Sequence, residues 1–212
     1  AEFFDRPTIR QLARYIEGKS KKTRFASVQP VEKREYYGLS PAQKRLYILH
    51  KMEGETTGYN LSSAVLLEGE PDTRRLEDAL KQMTRRHEAF RTSFAMTVGE
   101  PVQRIHDDVE FEIQRHDSDR GATTELKRFI RPFDLSRAPL IRMGLIKQEE
   151  KKYILIADTH HIVYDGTSMA IFFKEFAALY GGMGKELPGL RLQYKDYAAR
   201  QCGPAVAAGK EK

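Results

Sequence analysis

An apolar run, YILIA at 153–157, leads directly into His160-His161-Ile162-Val163-Tyr164-Asp165-Gly166-Thr167-Ser168. The run reads as a buried strand. Residues 169–180 follow with a helical period, placing Met169, Phe172, Phe173, Phe176 and Tyr180 on the apolar side. Two histidines, a carboxylate and a glycine therefore sit at a strand-to-helix corner, where side chains and helix amides converge. Such a corner fits a catalytic site, and it equally fits a hydrogen-bonded polar turn.

The rest of the chain supplies a mixed scaffold. Residues 40–43 (SPAQ) open a helix with serine at the N-cap, proline at N1 and glutamine at N3, the capping-box arrangement. Residues 61–67 (LSSAVLL) read as a strand. Residues 72–87 read as a helix capped by Asp72, with Leu76, Leu80, Met83 and His87 on one face. Strands are expected over 90–96, 102–105 and 111–115, then a helix over 123–131 closed by Pro132. Ile141, Met143 and Leu145 alternate with Arg142 and Gly144 as in a strand, and QEEKK at 148–152 turns it back toward the histidines. A weak helix is expected around 194–200. Helices mixed with hairpin-like strand pairs predict an α/β (α+β) class.

Two terminal pieces stand apart. Residues 1–17 hold one short helical pattern, with Ile9, Leu12, Ala13 and Ile16 as its stripe and no partner in sequence to cover it. Residues 18–38 are polar and basic and read as a linker. Residues 201–212 are expected to be a mobile tail.

At the corner, adjacent strand residues point to opposite faces, so His160 and His161 are poorly placed to bind one ion together. His161 with Asp165 would supply fewer ligands than a zinc site takes, and no metal is expected. If strand geometry persists, His161 and Asp165 share one side and His160 packs behind. Histidine suits proton transfer at neutral pH. Ser168 lies in the helix start, where capping is its common role, and Cys202 is remote, so direct attack by a substrate nucleophile is the economical route.

The net charge of +6 raises the question of nucleic acid, but the only dense basic cluster is GKSKKTR at 18–24, which reads as a solvated linker. No apolar stretch is long enough to span a membrane. The single Cys202 cannot form an internal disulfide, which fits a reducing compartment, and a cytoplasmic location is expected.

Several segments read together carry a resemblance. SPAQKRLYIL at 40–49, RHEAFRTSF at 86–94 and HHIVYDGTS at 160–168 resemble, in that order, the first three core motifs of nonribosomal peptide synthetase condensation domains. FDLSRAPLIR at 133–142 resembles the segment that precedes the HHxxxDG signature strand. FFDRPTIRQLARYIE at 3–17 resembles the last helix of a peptidyl carrier domain. At the signature, Thr159 and Tyr164 stand where methionine and serine are common. Residues 194–200 resemble the fourth motif, with Arg200 where tryptophan is expected.

The resemblance implies one lobe, 39–200, of a two-lobed domain related in fold to chloramphenicol acetyltransferase, after a carrier helix (1–17) and a linker (18–38). It implies amide formation between donor and acceptor thioesters on carrier domains, whose 4'-phosphopantetheine arms arrive with those partners rather than bind here as a cofactor. The second lobe and a neighbouring adenylation domain are the other implied partners, and the fragment alone is expected to be inactive. His161 is the implied catalytic residue. His160, Asp165, Gly166, Arg86 and Arg91 support it, with Asp165 expected to form a buried ion pair with Arg86 or Arg91. An epimerization domain of the same superfamily, or a non-catalytic lobe that docks carriers, is the alternative.

Overall fold

The computed structural model describes residues 5, 7–19, 27–117 and 121–202. Helix α1 (Ile9–Lys19) forms on the short N-terminal pattern and runs two residues into the stretch read as linker. Of its stripe, Ile9 is 89% exposed, Ala13 is exposed and Leu12 is partly so. The C-terminal end of that stretch is tied to the lobe. Val31 N–H donates to Asp196 at 2.8 Å, and the short strand β1 (Tyr37–Gly38) joins a sheet. The tail expected from 201 lies, from 203 onward, outside the described residues.

Helix α2 (Pro41–Glu53) starts on the predicted capping box. Gln43 N–H donates to Ser40 Oγ at 3.2 Å, and Ser40 N–H donates to Gln43 Oε1 at 3.1 Å. Strand β2 (Asn60–Glu68) and helix α3 (Thr73–Arg86), capped by Asp72, follow as the periods predict. The strand expected over 90–96 begins late. A 3-10 turn, Glu88–Arg91, comes first because Phe90 N–H closes back onto His87 O at 3.1 Å, and β3 (Thr92–Thr97) starts after it. Then come β4 (Glu100–Ile105), β5 (Ile113–Asp117), α4 (Ala122–Phe129), β6 (Ile141–Glu149), β7 (Lys152–His160), α5 (Gly166–Tyr180) and α6 (Tyr194–Cys202).

Two sheets form. A small antiparallel one has the order β1-β4-β3; the larger has the order β2-β7-β6-β5, with β5 parallel to β6 and the other pairs antiparallel. The odd-numbered face of β6 and β7, including Met143, Leu145, Leu155 and Ala157, packs on Leu80 and Met83 of α3 and on Phe172 and Phe176 of α5. Each fully buried side chain of this size contributes roughly 1.5–3 kcal/mol. The even-numbered face is covered too: Ile146 and Ile156 pack on Phe129 of α4. Alternation of residue type in β6 therefore marks a strand buried on both sides, and Arg142 goes inside with the rest. Gly144 makes this possible, since a Cβ there would lie 2.7 Å from the Phe129 ring.

β7 is thus held between β2 and β6 and clamped on both faces. It ends at His160, where the chain leaves the sheet.

Candidate active site

His160 is the last residue of β7 and is fully buried. Its ring meets His50 edge-on at 5.3 Å and Phe133 at 6.2 Å between centroids. Its Nδ1 accepts the Ile162 N–H at 3.1 Å, so the ring proton is carried on Nε2. Burial, with His50 and His161 adding to it, lowers its pKa to about 4, which keeps it neutral.

His161 lies beyond the strand, in a turn closed by Val163 N–H on His160 O at 3.1 Å. The expected persistence of strand geometry is therefore corrected. The two histidines still diverge: His160 is fully buried against His50 and Phe133, whereas His161 is exposed. His161 N–H is anchored on Tyr59 O at 2.8 Å, and its Nδ1 lies 2.7 Å from Tyr164 O. A carbonyl only accepts, so Nδ1 carries the proton and Nε2 keeps a free lone pair. His161 lines a cavity of about 450 Å³ together with Gln43, Tyr59, Glu88, Asp165 and Tyr194. Tyr164, whose hydroxyl burial raises to about 12, turns inward against Phe90 and Phe172 and fixes the corner from below.

The expected ion pair of Asp165 does not form. Asp165 is exposed and caps α5, accepting Ser168 N–H and Oγ–H at 2.7 Å each; these bonds hold its carboxyl below the usual range. Arg86 instead reaches α5 one face away, meeting Glu175 at 2.8 and 3.2 Å and Pro188 O at 2.7 Å. His87 Nε2 joins the same carboxylate at 2.6 Å. Burial works to raise the pKa of Glu175, but these partners hold it lowered. Arg91 braces the cavity wall, donating to His106 O and lying 3.5 Å from Glu88. The physical reason is position: α3 packs along α5, so Arg86 at its end meets Glu175 rather than the helix cap, and Arg91, beyond α3, is spent on His106 and Glu88. Gly166 is the first residue of α5 with no positive φ, and a Cβ there would meet open space. The turn itself does not require a glycine.

Several residues at or behind the site were not expected there from the sequence. Gln43 completes the cap of α2 and also approaches the turn, with Nε2 3.5 Å from Ile162 O. Tyr194 of α6 shares a hydrogen bond with Ser40 Oγ at 2.9 Å, and Lys195 beside it pairs with Glu88 at 2.5 Å. Behind the turn, Asp158 is fully buried and accepts from Ser62 Oγ at 2.8 Å and Asn60 Nδ2 at 2.9 Å, with Arg142 at 3.6 Å. Burial raises the Asp158 pKa against these partners and lowers that of Arg142 to about 10. Arg142 also stacks on Phe133 at 3.6 Å. A carboxylate inside an apolar strand, two residues from His160, was the available signal. Among the described residues there is no group of three or more metal-ligating side chains, and no helix is long and apolar enough to cross a membrane.

Residues 33–208 match the family model described as Condensation domain. The chain is 47% identical over 199 residues to tyrocidine synthase 3 of Brevibacillus parabrevis and 46% identical over 199 residues to surfactin synthase subunit 2 of Bacillus subtilis (strain 168). Each match takes in 93% of this chain but only 3% and 6% of those relatives. The X-domain from teicoplanin biosynthesis, solved in complex with OxyB, superposes with a TM-score of 0.78 at 30% identity, covering 87% of this chain and 42% of that one. The first condensation domain of the calcium-dependent antibiotic synthetase, in complex with a substrate analogue, shares the fold at TM-score 0.63 and 23% identity, over 69% of this chain and 38% of that one. The mixed sheet, the histidine corner and the family match agree: the chain belongs to the condensation-domain family of nonribosomal peptide synthetases and holds the region of its N-terminal lobe.

Proposed function

We propose that this lobe supplies the histidine side of an amide-forming site that joins two carrier-bound thioesters. The acceptor amine nitrogen attacks the donor thioester carbonyl carbon, a C–N bond forms, and the C–S bond breaks. His161 Nε2 accepts the proton lost by the amine and returns it to the departing thiolate. The observation that carries this reading is the His161 Nδ1 contact to Tyr164 O at 2.7 Å, which leaves Nε2 as the basic nitrogen on a ring that lines the cavity. The 4'-phosphopantetheine arms belong to the substrates, donor and acceptor carrier domains are the partners, and α1 with its exposed Ile9 is read as the last helix of a preceding carrier domain. The second lobe closes the other wall, and a neighbouring adenylation domain loads the acceptor.

The test mixes two loaded carriers with this chain alone and with a form extended by the second lobe. A dipeptidyl thioester made only by the extended form supports the reading; a racemised aminoacyl thioester points to epimerization and overturns it. A second reading, a lobe that docks another protein, draws on the likeness to the X-domain solved with OxyB. Failure of the extended form to make any amide, with carrier binding retained, favours that one.

A further inference from the structure

The sheet face that His160 shares is polar where its other end is apolar. Asn60 and Ser62 of β2, Arg142 of β6 and Asp158 and His160 of β7 are cross-strand or next-but-one neighbours, so their side chains leave the sheet on one side. Asn60 Nδ2 donates to Asp158 Oδ2 at 2.9 Å and to Arg131 O at 3.0 Å. Both donors of that amide are spent, and its Oδ1 is buried with no hydrogen-bond partner among the described residues. Directly opposite in register, His160 has the complementary need. Its Nδ1 lone pair is taken by Ile162 N–H, so Nε2 bears the proton and is likewise buried without a partner among the described residues. An unmatched acceptor and an unmatched donor thus belong to residues paired across the two strands. Leaving either so costs roughly 1–3 kcal/mol, and buried polar groups in folded proteins are rarely left unpaired.

We propose that one internal water joins His160 Nε2–H to Asn60 Oδ1, which makes Asn60 a positioning residue for His161. The water accepts from the imidazole and donates to the amide. Arg142 Nη1 and His50 Nδ1, two further unmatched buried atoms on neighbouring side chains, offer it additional partners. Internal waters typically make about three such bonds. The effect passes outward in short steps. The water fixes the His160 ring, Nδ1 of that ring holds Ile162 N–H, and the turn so held sets the His161 Nδ1 contact to Tyr164 O that leaves Nε2 free. Asn60 touches no substrate.

The effect on rate rests on the amide-forming reading above; the water link does not. The test is NMR of the chain with 15N-labelled histidines, using long-range 1H–15N correlations for tautomers and a cross-peak between His160 Nε2–H and water. The expected result is a His160 Nε2–H resonance with a water contact, lost in Asn60→Leu together with a change in the His161 ring shifts. Ser62→Ala, which removes a different bond to Asp158, leaves both rings unchanged. In the form extended by the second lobe, Asn60→Leu lowers kcat roughly 10–100-fold with KM for the acceptor carrier unchanged. If Asn60→Leu does not fold, Asn60→Ser is measured the same way. A His160 Nε2–H with no water contact, or an Asn60 variant that leaves both histidine spectra unchanged, overturns the proposal. Spectra that change as expected in a protein whose extended wild type makes no amide support the water link and count against the amide-forming reading alone.

Discussion

His160 and His161 are adjacent in sequence yet carry their ring protons on opposite nitrogens. Nδ1 of His160 faces an amide N–H and must accept; Nδ1 of His161 faces a carbonyl and must donate. The backbone groups of a single turn thereby assign one imidazole to holding the turn and the other to presenting a lone pair.

These unequal roles give unequal substitutions. His161→Ala in the form extended by the second lobe is expected to slow amide formation by roughly 10²–10⁴-fold. Its exposed ring contributes little to folding, so urea unfolding should shift by less than about 0.5 kcal/mol. His160→Ala removes a fully buried ring and should cost about 3 kcal/mol. A normal rate from His161→Ala removes the catalytic assignment.

The buried His160 also sets a pH dependence. The unfolded chain protonates this side chain near 6.5, while the fold holds its pKa at about 4. Between those values the unfolded state binds the extra proton, so stability is full above 6.5 and is lost as pH falls toward 4. The slope is up to about 1.4 kcal/mol per pH unit. Burial lowers His50 and His106 in the same direction, which steepens the loss. Urea midpoints across this range should fall with pH, and less steeply in His160→Phe than in wild type.

Arg86 and Asp165 should differ in kind. Arg86→Ala takes the guanidinium from Glu175, 12% exposed, leaving it only the His87 contact, and is expected to cost up to about 3–5 kcal/mol. Asp165→Ala removes one helix cap at the surface and should cost about 1 kcal/mol. Equal losses in thermal unfolding would reinstate an ion pair for Asp165.

Gly144→Ala tests the clamp on β7. The new methyl would sit 2.7 Å from the Phe129 ring and 3.1 Å from Ile156, where neither ring nor branched chain can give way freely. A loss of about 1–3 kcal/mol is expected by denaturant titration. Phe129→Leu in the same chain should recover part of it.

Much of this protein could be read along the chain because its signals are local. The Ser40 cap with Gln43, the Leu76–Leu80–Met83 stripe of α3 and the run into His160 each depend on backbone periods or neighbours a few residues away. The late start of β3 was not legible, since a 3-10 turn at Glu88–Arg91 has no period of its own. Nor was the partner of Asp165, because a cap three residues away competes locally with any distant arginine.

What the sequence alone determined is the order of the helices and longer strands from α2 onward and the pair of histidines at the end of a strand. What only the tertiary structure decided is which way each side chain is spent. Arg86 went to Glu175, Arg142 went inside to Asp158, and the protons of His160 and His161 were assigned by the single N–H and single C=O that the turn placed against them. Such choices depend on groups brought together from distant parts of the chain, or by one turn's rotation, and a periodic pattern carries no record of either.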